Sequence, residues 1–459
     1  MTQTMDTTTT ADKAVISYKV APQIATDAAL IRAFETRTAR LVILGMGYVG
    51  LPMALEFARA GFTVTGIDVD HERCDALNQG HSYIADVSDA QLQAAQADGR
   101  FHCSSNLTLL SEADAILICV PTPLRKSKDP DLSAILAAGK TVAKYLRRGQ
   151  LIVLESTTYP GTTEEVLLPM FTEGGLQVGK DFFLAFSPER VDPGNTTFGV
   201  RDITKLVGAC TPAGTNVAVA LYQQVVDKVI PVSSTRVAEA AKLLENTFRS
   251  VNIALANEMA LICRHLGVDV WEVIDAAATK PFGFMAHYPG PGIGGHCIPL
   301  DPHYLSWKAR LSGYEPRFIS LATEINGNMP QVIVDMTIDA LNEQSRSVRG
   351  SRILVLGAAY KPNVSDYRES PALEIMQMLS QRGAHVAYCD PYVPSVAIGD
   401  LLLHQVELTP ERVRASDLVV VVTHHSDFDF EMVVREASLV VDTRNATRPF
   451  AHLGNVRFL

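Results

Sequence analysis

The chain has 459 residues, of which 47% are hydrophobic and 20% are charged, which is typical of a globular protein with two or three domains. Its net charge of −10 argues against nucleic acid or an anionic membrane as the main partner. No apolar run approaches the length of a membrane span, and the Thr-rich start lacks the features of a signal peptide. The seven cysteines are widely spaced and never form a CxxC pair, so we expect reduced thiols, no metal site and a cytoplasmic protein.

Residues 38–212 are predicted to form a first sheet domain. It follows an N-terminal extension, 1–37, for which we expect disorder at the start and a short helix over 27–37. Strands are predicted at 40–44, 62–68, 115–120, 151–155 and 182–186, with helices at 51–61 and 132–146. Strands that alternate with helices in this way indicate a parallel, doubly wound sheet.

Residues 213–330 are predicted to be mainly helical, because the strand pattern fades there. The segment 234–267 is one long helical pattern, and we expect it to join two sheet domains and to offer a dimer surface. Residues 331–459 return to the alternating pattern, with strands at 351–357, 384–390, 417–422 and 438–442 and a helix at 370–383. The predicted fold is therefore α/β, with two Rossmann-like doubly wound parallel-sheet domains joined by a central long-helix region.

The turn after the first predicted strand carries the pattern GxGxxG, formed by Gly45, Gly47 and Gly50 with Tyr48 and Val49 inside it. Asp68 ends the next strand, close to the spacing of about 20 residues that dinucleotide-binding sheets show. In such sheets the glycines let the backbone approach a pyrophosphate, and the carboxylate accepts from the ribose hydroxyls. Because a carboxylate repels a 2′-phosphate, NAD is favoured over NADP. The alternative is a tight turn followed by an ordinary strand-end acid.

Three loops rich in Pro, Gly, Ser and Thr follow predicted strands: VPTP at 120–123, ESTTYPGTT at 155–163 and SPERVDPGN at 187–195. Ligands bind beyond the carboxyl ends of parallel strands, so these are candidate site loops, although each is also ordinary turn chemistry. The neighbours Glu189 and Arg190 are open to two interpretations, a structural ion pair or contacts with a substrate.

Polar groups also stand out in the long helix and in one glycine-rich segment. Lys242 and Asn246 are four residues apart and share a helix face, and Asn257 lies on or near that face. The polar groups are either solvated or able to stabilise an oxyanion in a site. Cys297 lies in GPGIGGHCIPLDP, 290–302. This setting favours an exposed, reactive thiol, and the alternative is a buried loop cysteine.

The motifs GMGYVGLP, VPTP, ESTTYPGTT, SPERVDPGN, KLLEN, GPGIGGHCIPLDP and YKPNVSDYRESPALEI together resemble those of the UDP-glucose/GDP-mannose dehydrogenase family, over about residues 38–450. The segments 155–165, 277–284 and 294–310 look most like UDP-N-acetylglucosamine 6-dehydrogenases of bacterial surface-polysaccharide pathways. UDP-glucose enzymes usually carry a lysine at the position of Leu300. The leucine here, together with His296 before the cysteine, fits the N-acetylhexosamine branch.

The resemblance implies an N-terminal NAD domain, a central dimerisation region and a C-terminal domain that binds the UDP part of a UDP-sugar. It implies Cys297 as nucleophile, Lys242 and Asn246 as oxyanion stabilisers, and Asp301, Glu189 and Thr157 as residues that position or activate water. Cofactor contacts are expected from Gly45, Gly47, Tyr48, Val49, Gly50, Asp68, Arg73, Pro121, Thr122, Ser156 and Thr157. Substrate contacts are expected from Glu189, Arg190, Lys242, Asn246, Gly294, Lys361 and Arg368.

The implied reaction is a four-electron oxidation of the C6 hydroxyl of UDP-N-acetylglucosamine to UDP-N-acetylglucosaminuronate, with two NAD⁺ per turnover and a thiohemiacetal and thioester on Cys297. The alternative substrates are UDP-N-acetylmannosamine, UDP-N-acetylgalactosamine and UDP-glucose. These sugars differ by a single hydroxyl or amide group, and the sequence alone is a poor guide to which of them is bound. An ordinary two-electron dehydrogenase would need neither the thiol nor a second nucleotide domain. A nucleotide sensor would tolerate loss of the polar residues and the thiol. A homodimer or higher homo-oligomer is expected.

Overall fold

The computed structural model describes residues 25–84, 87–125, 127–190, 199–399 and 401–459. The predicted disorder at the start of the chain, and residues 191–195 of the third candidate loop, lie outside the described residues. Within the described parts, no helix combines the length and the apolar character that crossing a bilayer requires.

The first sheet, as far as the structure describes it, has eight strands: β1 (Arg40–Leu44), β2 (Thr63–Ile67), β3 (Phe101–Ser104), β4 (Ala115–Ile118), β5 (Gln150–Leu154), β6 (Phe182–Phe186), β7 (Lys205–Ala209) and β8 (Val229–Pro231). Their spatial order is β3-β2-β1-β4-β5-β6-β7-β8. Strands β1 to β6 pair in parallel, which confirms the predicted sheet, whereas β7 runs antiparallel to β6. The order reverses between β1 and β4, so the loops after these two strands lie side by side.

The helices around this sheet are α1 (Ala25–Glu35), α2 (Gly50–Arg59), α3 (His71–Asn78), α4 (Asp89–Ala97), α5 (Ser133–Tyr145), α6 (Leu168–Thr172) and α7 (Pro212–Tyr222). A 3₁₀ turn spans Leu107–Glu112 and a π-helix spans Thr163–Leu167. All five residues of β5 and of β6 are buried, as a sheet covered by helices on both faces requires. Helix α1 packs on α7 with Phe34 fully buried, so the end of the predicted extension joins this core. Strand β8 pairs with β7. The first sheet therefore continues past residue 212, where its domain was predicted to end.

The central region contains α8 (Thr235–Leu266), α9 (Val270–Ala278), α10 (Asp301–Leu311) and α11 (Arg317–Glu343). Helix α8 begins where the Ser234 side chain accepts from the backbone N–H of Val237, and it ends at Gly267 in the left-handed conformation. The predicted long helix is therefore confirmed. Helix α11 packs along α8 and also against the second sheet domain, so these two helices connect the two halves of the molecule.

The second sheet domain contains β9 (Arg352–Leu356), α12 (Pro371–Gln381), β10 (His385–Cys389), β11 (Ser395–Ile398), β12 (Leu401–His404), α13 (Pro410–Ala415), β13 (Leu418–Val421), α14 (Phe430–Glu436), β14 (Val440–Asp442) and β15 (Val456–Phe458). Its parallel sheet has the order β10-β9-β13-β14-β15, and β11 pairs with β12 in a separate hairpin. The order reverses between β9 and β13, so a second ligand-binding edge is formed there. The two Rossmann-like domains predicted from the sequence are thus confirmed.

Candidate active site

The glycine-rich turn after β1 is shaped by close backbone contacts. A Cβ added at Gly45 would lie 2.5 Å from the carbonyl oxygen of Cys119, and one at Gly50 would lie 1.8 Å from that of Gly45. Gly45 also has a φ of +93°, which favours glycine. At Gly47 an added Cβ would meet nothing within 4 Å. Two glycines therefore build the turn, and the third leaves room for a ligand.

The start of α2 suits a negatively charged ligand. Leu51 and Met53 donate their backbone N–H groups to the carbonyls of Gly47 (3.1 Å) and Val49 (3.3 Å), so an anion here would be held by N–H groups of the turn before the helix, at the positive end of the helix dipole. Asp68 follows β2 and accepts from the backbone N–H groups of Met46 (2.8 Å) and Asp70 (3.0 Å). Each of its carboxylate oxygens keeps a lone pair for a ribose hydroxyl. The residues present therefore fit an NAD molecule.

The loops after β4 and β5 are tied together at the same edge of the sheet. The Ser156 hydroxyl donates to the carbonyl of Val120 at 2.7 Å. The Tyr304 hydroxyl, on α10, donates to the carbonyl of Thr122 at 3.0 Å, which joins the cofactor side to the central region. The other predicted cofactor residues along this edge are an exposed Pro121, a half-buried Thr157 and an exposed Arg73.

A buried polar cluster forms where α8 meets α10. Lys242, Asn246 and Asp301 are 8%, 5% and 4% exposed. The Asn246 side-chain amide donates to Asp301 Oδ2 at 2.5 Å. Burial raises the pKa of Asp301 to about 6, although the Lys242 ammonium and the Asn246 hydrogen bond act to lower it. The structure thus brings Asp301 into contact with Asn246, which lies 55 positions earlier in the sequence, and close to Lys242 on the same helix, so the cluster holds a carboxyl group whose pKa is raised toward neutral pH.

Cys297 lies one turn before this cluster. Its backbone carbonyl accepts from the N–H of Asp301 at 2.8 Å, where α10 begins. Its thiol is exposed, whereas Cys210 is half-buried and the other five cysteines are buried. The predicted exposure of this cysteine is therefore confirmed.

The glycines around Cys297 allow close packing against the second sheet domain. A Cβ added at Gly294 would lie 2.6 Å from the Cβ of Tyr360, and one at Gly290 would lie 2.5 Å from the Arg444 guanidinium. The N–H of Gly290 donates to the Asn257 side chain at 2.9 Å, so α8 also holds this loop. Asn257 is fully buried, which rules out a solvated side chain. The loop is therefore fixed from both sides.

The loop after β9 joins the cysteine loop to the glycine-rich turn. The Arg368 guanidinium forms two 2.9 Å hydrogen bonds with Asp366 and lies 5.3 Å over the Tyr48 ring. His296 Nε2 lies 3.2 Å from Asp366 Oδ2. Burial acts to raise the pKa of Asp366, but the contacts with His296 and Arg368 outweigh it and hold that pKa well below its usual range. Arg368 therefore faces the predicted cofactor turn, while Lys361 is half-buried earlier in the same loop.

Glu189 and Arg190 pair with different partners. The Arg190 guanidinium lies 2.7 Å from Glu245 on α8 and donates to the carbonyl of Thr204. Glu189 instead has its carboxylate 3.7 Å from the Lys205 ammonium. Each residue thus has an oppositely charged partner elsewhere in the fold, and the backbone N–H of Arg190 also donates to Glu189 Oε1 at 2.7 Å.

Glu239 is a buried residue that the sequence did not single out. It is fully buried on α8, three residues before Lys242. Its carboxylate accepts from the N–H groups of Gly161 (2.5 Å) and Thr163 (2.9 Å) and from the Thr163 hydroxyl (2.7 Å). It therefore fixes the loop after β5 to the helix that carries Lys242 and Asn246. In sequence it looks like an ordinary surface acid of an amphipathic helix.

Glu239 is expected to make stability depend on pH. Burial raises its pKa from 4.5 to about 7, although the three hydrogen bonds act to lower it. The folded state therefore binds more protons than the unfolded state between these values, and stability falls as pH rises through that window, by at most about 3 kcal/mol. We therefore compare the thermal midpoints of the native protein and of Glu239→Gln. The difference between them, native minus variant, should fall by several degrees from pH 5 to pH 8. A constant difference over that range would contradict this.

The glycine-rich turn and the two Rossmann-like domains define the class of nucleotide-binding enzymes. The chain belongs to the UDP-glucose/GDP-mannose dehydrogenase family. Its NAD-binding domain matches residues 39–226, its central domain residues 236–328 and its UDP-binding domain residues 354–449. The protein is thus an oxidoreductase that acts on UDP-sugars with NAD.

Relatives with N-acetylated substrates cover nearly the whole chain. A UDP-N-acetyl-D-glucosamine 6-dehydrogenase of Pseudomonas aeruginosa is 35% identical over 85% of this chain and 91% of its own. A UDP-N-acetyl-D-mannosamine dehydrogenase of Pyrococcus horikoshii is 36% identical over 88% of this chain and 95% of its own. The crystal structure of an NDP-N-acetyl-D-galactosaminuronic acid dehydrogenase from Methanosarcina mazei Go1 matches with a TM-score of 0.79 at 30% identity, over 95% and 98% of the two chains.

Proposed function

We propose that the protein oxidises the C6 hydroxyl of UDP-N-acetylglucosamine to the carboxylate, for the synthesis of a surface polysaccharide. The observation that carries this proposal is the exposed Cys297 thiol one turn from the buried cluster of Lys242, Asn246 and Asp301. An alcohol can be taken to an aldehyde without a thiol. A nucleophilic thiol is needed when the aldehyde is held and oxidised again.

The cysteine makes the second oxidation possible. NAD⁺ supplies the hydride acceptor, two molecules for each sugar. The Cys297 thiolate adds to the C6 aldehyde and forms a thiohemiacetal, which becomes a thioester when its C–H hydride is lost. Water then forms the new C–O bond, the C–S bond breaks and the thiolate is released with the uronate. The covalent bond keeps the reactive aldehyde from leaving before it is oxidised.

The buried groups are suited to the charges that develop in these steps. Lys242 and Asn246 stabilise negative charge on the C6 oxygen in the alkoxide and tetrahedral states. Asp301, Thr157 and Glu189 position and activate the hydrolytic water. The raised pKa of Asp301, about 6, suits a base that works near neutral pH. We assign Arg368, Lys361 and Gly294 to the substrate, because they belong to the loop after β9 and to the cysteine loop that packs against it.

The choice of UDP-N-acetylglucosamine is supported by the motifs at 155–165, 277–284 and 294–310 and by the Pseudomonas relative. The test is to mix purified protein with NAD⁺ and each of four UDP-sugars, and to count NADH formed per sugar consumed. Two NADH per UDP-N-acetylglucosamine, with little from UDP-glucose, is the expected result. Two NADH from the mannosamine or galactosamine sugar alone would change the substrate. One NADH per sugar would overturn the thioester route.

We also propose that α8 forms the centre of a homodimer. Its outer face carries exposed Leu244, Phe248, Leu255, Ile262 and Leu266, at intervals of four and seven residues. Such a spacing places them on one side of the helix, and a contiguous apolar face of this kind marks a protein interface.

Charges on that face are expected to separate the subunits. Leu244→Glu combined with Leu255→Glu would place two carboxylates in the apolar contact, so the assembled mass measured by light scattering should fall to that of one chain. Leu402→Glu, at an exposed leucine of the β11–β12 hairpin away from α8, is the control and should leave the mass unchanged. An unchanged mass in the double variant would remove α8 from the interface.

A further inference from the structure

Three loops at the carboxyl edge of the second sheet are joined through one buried histidine. His425 is fully buried in the loop after β13, residues 422–429. Its Nε2 lies 2.9 Å from Oδ2 of Asp390, which follows β10. Its Nδ1 accepts from the backbone N–H of Asn363 at 3.0 Å, in the loop after β9, residues 357–370. The order of this sheet reverses between β9 and β13, so the histidine bridges the two loops that flank the ligand-binding edge.

The two contacts define which ring nitrogen of His425 carries a proton. A backbone N–H can only donate, so Nδ1 must accept from Asn363. Nε2 therefore carries the proton and donates to Asp390. Burial acts to raise the pKa of Asp390, but the hydrogen bonds from His425 and from the N–H of Ala359 outweigh it and lower that pKa. The carboxylate thus holds the ring in one orientation, with its acceptor facing the loop after β9.

Asn363 has a backbone conformation that few residues adopt. Its φ of +61° is left-handed, which disfavours any residue that has a Cβ. Its side-chain carbonyl accepts from the backbone N–H (2.9 Å) and from the hydroxyl (3.0 Å) of Ser426, the residue after His425. The backbone and the side chain of Asn363 are therefore both held by the loop after β13. A strained residue held in this way indicates a loop shape that the surrounding fold imposes.

The loop after β9 also supports the cysteine loop. The backbone N–H of Gly295 donates to the carbonyl of Arg368 at 3.2 Å. His296 Nε2 lies 3.2 Å from Asp366 Oδ2. The shape that is imposed at Asn363 therefore matters both at the edge of the second sheet and for the segment that carries the thiol.

We propose that His425 is a positioning residue for UDP binding, which fixes the loop after β9 by accepting from Asn363 while Asp390 fixes the orientation of the ring. The UDP-binding domain of the family matches residues 354–449, which include all three residues. The inference rests on the part of the proposed function in which a UDP-sugar binds at this edge, whichever sugar is oxidised. His425 is fully buried, so we assign it no contact with the nucleotide.

Two variants each keep one of the two hydrogen bonds of the ring. His425→Asn places its side-chain oxygen near the position of Nδ1, so it keeps the acceptor for Asn363 and loses the donor to Asp390. His425→Gln places an amide N–H near the position of Nε2, so it keeps the donor and loses the acceptor. Asp390 stays paired in His425→Asn, because four backbone N–H groups still donate to it. They belong to Ala358, Ala359, Tyr392 and Val393.

The dissociation constant of UDP is measured by calorimetry on the full-length protein, with that of NAD⁺ and the thermal midpoint measured in parallel. His425→Gln should weaken UDP binding by about tenfold, the effect of one lost hydrogen bond. His425→Asn should bind UDP within about threefold of the native protein. Both should bind NAD⁺ within about twofold, because the glycine-rich turn belongs to the other sheet. His385→Gln is the matched control and should change neither constant, because this exposed histidine begins β10 and so lies at the opposite edge.

Two results would overturn the inference. One is unchanged UDP binding in His425→Gln. The other is a loss in His425→Asn that equals or exceeds the loss in His425→Gln, which would assign the histidine to the stability of the domain. If His425→Gln does not fold, Asn363→Ala decides, because this exposed residue would lose the Ser426 contacts and its left-handed conformation. Unchanged UDP binding in Asn363→Ala would contradict the proposal, and about a tenfold loss would support it.

Failure of the proposed function would look different. The native protein would then form no uronate from any UDP-sugar, whether or not these variants change the binding of UDP.

Discussion

Replacing Cys297 by serine is expected to lower the rate of UDP-uronate formation by at least about a thousandfold. A hydroxyl is far less ionised than a thiol at neutral pH, so it adds poorly to an aldehyde. The variant should still bind NAD⁺ and the UDP-sugar, because the thiol lies in an exposed loop outside the hydrophobic core. Chromatographic detection of the uronate, with NADH measured in parallel, is the direct assay.

The control is the second most accessible cysteine. Cys210 is half-buried after β7, and burial raises its pKa to about 12, so it is a poor nucleophile. Cys210→Ser should keep nearly native activity. Alkylation with iodoacetamide should modify Cys297 first and abolish activity in step with that modification. Full uronate formation by Cys297→Ser would refute the covalent step.

Apolar patterns along the chain predicted elements that hold the site. The strand over 40–44 and the long helix over 234–267 were predicted to within one residue at each end, as β1 (Arg40–Leu44) and α8 (Thr235–Leu266) show. A parallel strand that is buried on both faces reads as a short continuous apolar run, and an amphipathic helix repeats its apolar residues every 3.6 positions. Their ends carry local signals, such as the Ser234 cap.

Features that depend on distant parts of the chain were not predicted. Strand β7 runs antiparallel to β6, and no local pattern states the direction of a strand. Helix α11 contains Pro330, a residue that normally ends a helix. Lys205 and Glu239 look like surface residues in sequence, and their burial follows from partners that lie 50 and 76 or more residues away. Burial of a charge is a property of the assembled fold.

The glycine-rich segment around Cys297 shows both what the sequence predicts and what it does not. Its composition predicted an exposed thiol, and the structure confirms that exposure for Cys297. It gave no sign that Gly294 and Gly290 must also make room for Tyr360 and Arg444 of the second sheet domain. A glycine pattern reports that backbone comes close to something. It does not say whether that partner is a ligand or another part of the protein.

Replacing Lys242 by methionine is expected to lower the catalytic rate by about a hundredfold to a thousandfold, while the dissociation constant for NAD⁺ stays within about twofold. Lys242 is buried on α8 beside Asp301, whereas the predicted cofactor turn lies at the edge of the first sheet. Methionine keeps the length of the side chain and removes the charge that would stabilise a negative C6 oxygen. The rate is measured as uronate formed at saturating NAD⁺ and UDP-sugar, and NAD⁺ binding is measured separately by calorimetry.

Loss of this ammonium would also act on its neighbour, and that gives the prediction a second readout. Lys242 lowers the pKa of Asp301, so in its absence the carboxyl group should hold its proton to a pH above about 6. The acidic side of the remaining activity should therefore move to higher pH. Lys144→Met, an exposed lysine on α5, is the matched control and should change neither quantity. An unchanged rate would remove Lys242 from the reaction centre. A parallel loss of NAD⁺ binding would assign Lys242 to the cofactor instead, because a charge that serves only the reacting oxygen has no part in holding the dinucleotide.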